Sequence, residues 1–126
     1  MLYGGVAMAI EQETVDVSKI KYNANGLIPV VVQDYESGEV LMLKEMNEEA
    51  VEATFATGYA HYYSAKKKEV VKKGANTGNT QSVKAAFLTS DGGSLLLKVR
   101  QKGKADAENN AFSAFSTQIK GNYNDI

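Results

Sequence analysis

Two short apolar runs joined by a turn do most to constrain the fold of this chain. Residues 27–33 are rich in β-branched side chains, and Pro29 lies near the start of this run, where its missing N–H is tolerated. Residues 34–38 have the composition of a turn, and residues 39–43 form the predicted partner strand, which is apolar from Val40 onward. The spacing therefore predicts a β-hairpin.

A second pair of strands is predicted closer to the end of the chain. Residues 82–88 and 94–100 both have the character of strands, and the Ser-Asp-Gly-Gly sequence at 90–93 between them is a strong turn signal. Residues 59–64 predict another strand. Residues 69–73 fit either a strand or one helical turn.

One helix is predicted between these groups of strands. Asn47 is a good N-cap, and Glu48 and Glu49 suit the positive end of the helix dipole. The apolar stripe runs to about Ala56, and Gly58 is a typical stop signal. We therefore predict an α+β domain with a mostly antiparallel twisted sheet and one main helix.

Composition limits the classes of function. The chain has 126 residues, of which 44% are hydrophobic and 23% are charged, and this fits one globular domain. With no cysteine and a single histidine, His61, the chain excludes disulfides, thiolate zinc sites and His–His metal pairs within one chain. No apolar run approaches about 18 residues, and the start lacks the basic region of a signal peptide. We expect a cytoplasmic protein with no membrane partner.

Basic residues are concentrated in one part of the chain. Residues 61–104 hold ten lysines and arginines against Glu69 and Asp91. Within this block, the lysines at 66–68 precede a glycine-containing loop at 74–81, and such loops bring backbone and amide groups close to phosphates. Two interpretations stay open: an anion-binding surface, or solvated faces of strands.

Several motifs in register resemble the phosphoribosyl-AMP cyclohydrolase family of histidine biosynthesis. They are GLIPVVVQD at residues 26–34, SGEVLML at 37–43, MNEEA at 46–50, TGYAHYYS at 57–64, KGANTGNTQSVK at 73–84 and LLLKVRQKGKA at 95–105. The resemblance implies a cyclohydrolase-like domain at residues 19–115. Residues 1–18 are then an N-terminal arm, and residues 116–126 are a C-terminal tail. Residues 1–16 have no clean period, which fits either a flexible arm or an added strand. Residues 111–119 form a short amphipathic segment of open type.

The resemblance also implies a function. Members of this family are homodimeric enzymes that hydrolyse the N1–C6 bond of the adenine ring in phosphoribosyl-AMP. Zinc, held by three cysteines across the dimer interface, would supply a hydroxide nucleophile near neutral pH, and magnesium would be held by an aspartate cluster. The resemblance places the substrate- or anion-binding groups on Ser64, Lys67, Lys73, Gly78, Asn79 and Gln81.

The sequence departs from the family pattern where these metals would bind. The three positions that the resemblance assigns to cysteine hold Ser90, Asp106 and Ala114, and the position of the catalytic histidine holds Ala107. Only Asp91 remains of the expected aspartate cluster. We therefore expect neither zinc nor magnesium. Candidates for a rebuilt carboxylate metal site are Asp91, Asp106 and Glu108, and the alternative is that they are turn-forming acids.

Three functional hypotheses follow. The first is a non-catalytic homodimer that binds a nucleotide or phosphate ligand, or a protein or nucleic-acid partner. The second is a hydrolase with altered chemistry that uses Asp91, Asp106 or Glu108. The third is an engineered, metal-free scaffold with the cyclohydrolase fold. The first ranks highest, because the sequence has lost the metal-binding and catalytic side chains of the family but keeps its strands and turns.

Overall fold

The computed structural model describes residues 15–121. In chain order its elements are β1 (Ile28–Asp34), β2 (Val40–Met46), α1 (Glu48–Thr57), β3 (His61–Ser64), β4 (Glu69–Lys72), β5 (Gln81–Leu88) and β6 (Leu95–Gln101). The predicted α+β class and each predicted strand are confirmed, and residues 69–73 contribute a strand rather than a helical turn. Residues 111–119 contain only the single bridge between Asp106 and Ala111. Most of the predicted N-terminal arm, residues 1–14, lies outside the described residues.

The strands form two sheets. The larger has the order β2-β1-β6-β5, and the smaller is the β3–β4 hairpin. Both hairpins predicted from turn residues are antiparallel, as β1–β2 and β5–β6. They join through a parallel pairing of β1 with β6, from Val30 opposite Leu95 to Asp34 opposite Val99. The parallel pairing joins strands distant in sequence, and no local turn signal specifies it.

Helix α1 begins and ends where its capping residues predict. The Asn47 side chain accepts a hydrogen bond from the Ala50 N–H at 2.8 Å, and Gly58 adopts the left-handed conformation and donates to the Thr54 carbonyl. Ala50 and Thr54 on one face of the helix are fully buried. Within residues 15–121, no helix is long and apolar enough to cross a membrane.

One face of the larger sheet forms the core. Alternate residues of β1, Ile28, Val30 and Val32, are fully buried, as are Leu97 and Val99 of β6. The helix and the β3–β4 hairpin supply further residues to the same cluster. The core thus holds the hairpin over the buried face of the sheet, and this arrangement creates the cavity described next.

Candidate functional site

A cavity of about 700 Å³ opens between the β3–β4 hairpin, strand β2 and the segment that follows β6. Its charged lining is mostly basic. Five lysines contribute, with two acids from the segment after β6: Lys44, Lys66, Lys67, Lys72, Lys73, Asp106 and Glu108. Two separate parts of the chain, β2 and residues 66–73, therefore bring positive charge to one concave surface.

The exposed ammonium groups at the mouth of the cavity form the lysine rim, which we define as Lys44, Lys66 and Lys67. Lys44 lies on β2, and the other two lie in the turn of the β3–β4 hairpin. All three side chains are exposed. The ion pair among residues 15–121 joins Arg100 to Glu36 and involves none of them. The rim charges are therefore available to an anionic ligand.

Beneath the cavity lies a buried polar cluster of Tyr62, Gln81 and Gln101. The Tyr62 hydroxyl donates to Gln81 Oε1 at 2.6 Å, and Gln81 Nε2 donates to Gln101 Oε1 at 2.8 Å. Gln101 Nε2 in turn donates to the Lys102 carbonyl at 2.9 Å. Burial raises the pKa of the Tyr62 phenol, which stays a neutral donor. The cluster is fully hydrogen-bonded and ties β3, β5 and β6 together.

Two close approaches hold the loop between β4 and β5, one between backbone segments at Gly74 and one of the Asn79 side chain to Gly103. Gly74 has a φ of +80°, and a Cβ there would lie 2.4 Å from the Asn79 carbonyl carbon. The Asn79 side chain covers Gly103, where a Cβ would meet Asn79 Oδ1 at 2.1 Å. Both glycines are needed because neighbouring atoms occupy the space of a side chain. The loop therefore has a defined path beside the cavity.

Of the six residues predicted to bind the anion, three line the cavity and three do not. Ser64, Lys67 and Lys73 line the cavity. Gly78 and Asn79 do not, and Asn79 packs on Gly103 instead. Gln81 is completely buried, with its amide engaged in the polar cluster.

Sequence reasoning missed a cavity lysine, Lys44, and two loop residues, Asn76 and Thr77. Lys44 follows an apolar run on β2, and nothing local indicates which face of the sheet it occupies. Its pairing with the buried Val30 places it on the cavity side.

Lys73 differs from the lysine rim in its surroundings. It is half-buried, and its Nζ donates to the carbonyl oxygen of Ala105. Burial lowers the pKa of the Lys73 ammonium, nearby Lys44 lowers it further, and Asp106 acts in the opposite direction. Partial burial and the charge of Lys44 thus both favour the neutral form of the Lys73 amine.

The three acidic candidates do not come together. Asp91 lies in the β5–β6 turn outside the cavity and accepts hydrogen bonds from the Gly93 N–H at 2.9 Å and the Thr89 hydroxyl at 2.7 Å. Both hydrogen bonds lower the pKa of the Asp91 carboxyl, and the bond from Gly93 has the larger effect. Asp106 and Glu108 line the cavity, where Asp106 also accepts from the Asn109 side chain at 2.9 Å.

Comparison with known proteins identifies the family. A family profile described as phosphoribosyl-AMP cyclohydrolase matches residues 42–115. The chain belongs to the phosphoribosyl-AMP cyclohydrolase family. The cyclohydrolase of Trichormus variabilis is 42% identical over 101 residues, which cover 80% of this chain and 87% of that protein. That of Archaeoglobus fulgidus is 42% identical over 103 residues, which cover 82% and 94%.

A longer relative is also similar. The histidine biosynthesis bifunctional protein HisIE of Aquifex aeolicus is 41% identical over 104 residues. The match covers 82% of this chain and 51% of that protein. The chain therefore spans about half the length of this relative, whereas it spans most of the two cyclohydrolases.

The zinc and magnesium implied by the cyclohydrolase resemblance can be compared with the donors present. Protein zinc sites use thiolates, imidazoles and carboxylates in a tetrahedral set. The chain has no cysteine, and His61 lies outside the cavity with Nδ1 2.8 Å from the Tyr59 carbonyl oxygen. Across residues 15–121, no three His, Asp or Glu side chains form a metal-binding group. The donors of a single chain therefore do not fit the zinc site of the family.

Proposed function

We propose that this member of the cyclohydrolase family binds a nucleotide or another phosphate ester in the lysine-lined cavity and does not hydrolyse phosphoribosyl-AMP. One observation carries the proposal: five lysines from separate parts of the chain line a single cavity that holds two acids. Lysine is a common phosphate-binding residue that acts as a point charge. The cavity volume of about 700 Å³ suits a small molecule.

The lysine rim argues against a purely solubilising role. Lysines that keep a surface soluble are expected along strand edges, facing water in different directions. Here Lys44 of β2 and Lys67 of the hairpin turn face the same concave surface. Asn76 and Thr77 of the neighbouring loop add polar groups that can donate hydrogen bonds to phosphate oxygens.

The proposed lack of hydrolysis follows from the donor set. Attack of water on the adenine ring needs an activated nucleophile, and a metal-bound water is the usual means near neutral pH. The cavity instead offers amines and two carboxylates. The second candidate function is a hydrolase that uses Asp106 and Glu108, because both carboxylates line the same cavity.

Two measurements on the purified protein separate these functions. We expect no stoichiometric zinc by elemental analysis and no turnover of phosphoribosyl-AMP. Turnover of about one per second or more, in the range of ordinary enzymes, would contradict the proposal. If that turnover disappeared in Asp106→Asn, the second candidate would replace the first.

The binding proposal is tested by titration. Ribonucleotides and phosphate esters are added at low salt while amide chemical shifts are followed. We expect saturable shifts confined to residues 64–81 and to the neighbours of Lys44, with affinity that weakens as salt rises. Lys67→Ala should weaken binding, and Lys102→Ala, an exposed lysine outside the cavity, should not. Shifts spread over all lysines would indicate a solvated surface.

We further propose that the protein is a homodimer whose partner covers an exposed apolar row on the larger sheet. Val31 lies opposite Leu43 on β2 and Leu96 on β6, and Leu96 lies opposite Phe87 on β5. Directly paired residues share a face, and here Leu43 is 59% and Phe87 55% exposed. Contiguous apolar patches of this kind often mark protein interfaces.

Sedimentation at micromolar concentration tests the homodimer. We expect a dimer for the unmodified chain and a monomer for Phe87→Glu. Tyr35→Glu is the matched control, because Tyr35 is also 55% exposed and lies outside the row. A monomer for the unmodified chain would contradict the proposal.

A further inference from the structure

The position of Lys73 separates it from the other four lysines of the cavity. Lys44, Lys66, Lys67 and Lys72 are exposed, whereas Lys73 is half-buried. Its backbone is fixed because its N–H donates to the Ala60 carbonyl at 3.0 Å. Its Nζ donates to the carbonyl of Ala105 across the base of the cavity. The amine is therefore held at a defined place inside the cavity rather than at its mouth.

The surroundings of Lys73 favour the neutral amine. Partial burial withdraws water from the ammonium group, and the charge of Lys44 on β2 opposes a second positive charge nearby. Asp106, in the segment after β6, has the reverse effect. The other titratable groups that line the cavity come from β3, the hairpin turn, β4 and the same segment: Tyr62, Tyr63, Lys66, Lys67, Lys72 and Glu108. Desolvation together with a neighbouring cation is a known means of activating a lysine nucleophile.

We propose that Lys73 is an amine nucleophile that forms a reversible imine with an aldehyde-bearing phosphate ester, such as an open-chain aldose phosphate, bound in this cavity. The inference rests on the proposed function, since the lysine rim would hold the phosphate. The positions of the lysines assign their roles. Lys66 and Lys67 are exposed and attract the phosphate, whereas Lys73 lies deeper in the cavity and meets the carbonyl carbon of the ligand.

The chemistry needs no reagent beyond the ligand. The nitrogen lone pair of neutral Lys73 attacks the aldehyde carbon, a C–N bond forms, and the carbonyl oxygen becomes a hydroxyl by taking a proton. Loss of that hydroxyl as water, with the second amine proton, leaves the C=N double bond. One water is released for each imine, and the reaction reverses when water adds back.

Chemical trapping tests the proposal. The full chain is incubated near neutral pH with pyridoxal 5′-phosphate, an aldehyde that carries a phosphate, and the imine is reduced with borohydride. Peptide mass mapping then locates the label. We expect most of the label on Lys73, although four other cavity lysines are more exposed. A label distributed over Lys66, Lys67 and Lys72 according to exposure would overturn the proposal.

Two variants sharpen the assignment. Lys73→Arg keeps a positive charge and an N–H donor for the Ala105 carbonyl but cannot form the imine, so the label should be lost. Lys102→Arg is the matched control and should retain it, because Lys102 lies outside the cavity. Equal labelling of both variants would contradict the role of Lys73. Peptide mapping of the unmodified chain decides the question even if Lys73→Arg does not fold.

A third probe separates this inference from the proposed function. Pyridoxine 5′-phosphate carries the phosphate but no aldehyde, so it should compete with labelling of Lys73. Labelling of Lys73 without competition would support the nucleophilic amine and contradict phosphate binding. Binding of the competitor without labelling of Lys73 would support phosphate binding and overturn the imine.

Discussion

The buried polar cluster beneath the cavity and the lysine rim at its mouth differ in burial and in hydrogen bonding. Tyr62, Gln81 and Gln101 are buried and fully hydrogen-bonded to one another and to the backbone. The rim is exposed and forms no ion pair within the described part of the chain. From this difference we expect changes in the cluster to act on folding, and changes in the rim to act on the proposed anionic ligand.

The largest expected effect comes from breaking the cluster. Gln81→Leu removes the partner of the Tyr62 hydroxyl and of Gln101 Oε1, and leaves both polar groups buried. We expect a loss of about 3 kcal/mol in the free energy of unfolding, since each buried unsatisfied group costs about 1–3 kcal/mol. Urea denaturation measures it.

The control for this prediction is the double variant Tyr62→Phe with Gln81→Leu, which removes one of the orphaned groups. Its free energy of unfolding should exceed that of Gln81→Leu alone. A loss below about 0.5 kcal/mol for Gln81→Leu, the range of ordinary surface substitutions, would show that the cluster does not support the fold.

The loop between the two regions provides the next test. Gly74 and Gly78 have nearly equal φ angles of +80° and +81°, but only Gly74 lacks space for a Cβ. Alanine at either position costs about 1–2 kcal/mol for the left-handed backbone. Gly74→Ala should cost more than Gly78→Ala and should also weaken phosphate binding, because the loop must move. Equal losses in urea denaturation would contradict the close approach seen here.

A change in the lysine rim should affect phosphate affinity rather than the free energy of unfolding. Lys67→Ala is expected to change the free energy of unfolding by less than about 0.5 kcal/mol, as exposed substitutions usually do. Phosphate affinity should nevertheless fall several-fold, and the salt dependence should become weaker. Calorimetric titration at two salt concentrations measures both. A large loss of stability with unchanged affinity would reverse the comparison between cluster and rim.

The smallest expected effect is a pH dependence at the far end of the cluster. Asp34 is buried, and burial raises the pKa of its carboxyl. Hydrogen bonds from Ser37 and from the Gln101 N–H have the opposite effect and are stronger, so the pKa of Asp34 is lowered overall. A carboxyl whose pKa is lower in the folded state stabilises it above the unfolded pKa of about 3.9. That stability is lost as pH falls through the folded pKa.

Urea denaturation between neutral pH and about pH 3, on either side of the carboxyl pKa, tests the role of Asp34. The unmodified chain should lose stability in the acidic part of this range, and Asp34→Asn should show a shallower loss. Parallel curves for the two proteins would indicate that other carboxyls cause the acid sensitivity.

Much of the fold could be predicted because its signals are local. Asn47 and Gly58 mark the ends of α1 through hydrogen bonds to residues three or four positions away. The turn at 90–93 joins two strands that follow each other in sequence. The cyclohydrolase motifs extended this local information to the family, which the comparison with known proteins then confirmed.

The candidate site was predicted less completely because it depends on which way side chains face. Of the residues predicted to bind the anion, Ser64, Lys67 and Lys73 line the cavity, but Gln81 turns inward to Tyr62. Lys44 enters the cavity lining although nothing local indicates it. An irregularity in the pairing of β5 with β6 between Val83 and Ala85 also shifts the side-chain alternation in a way that no local pattern signals.

The sequence alone determined every strand except β4, together with the capped helix, the absence of cysteine and the basic character of residues 61–104. Only the tertiary structure decided that β1 pairs in parallel with β6 and that the β3–β4 hairpin and β2 bring five lysines to one cavity. The reason is the range of the interactions. Caps and turns are specified by neighbours within a few residues, whereas a cavity requires contacts between elements that burial brings together from distant parts of the chain.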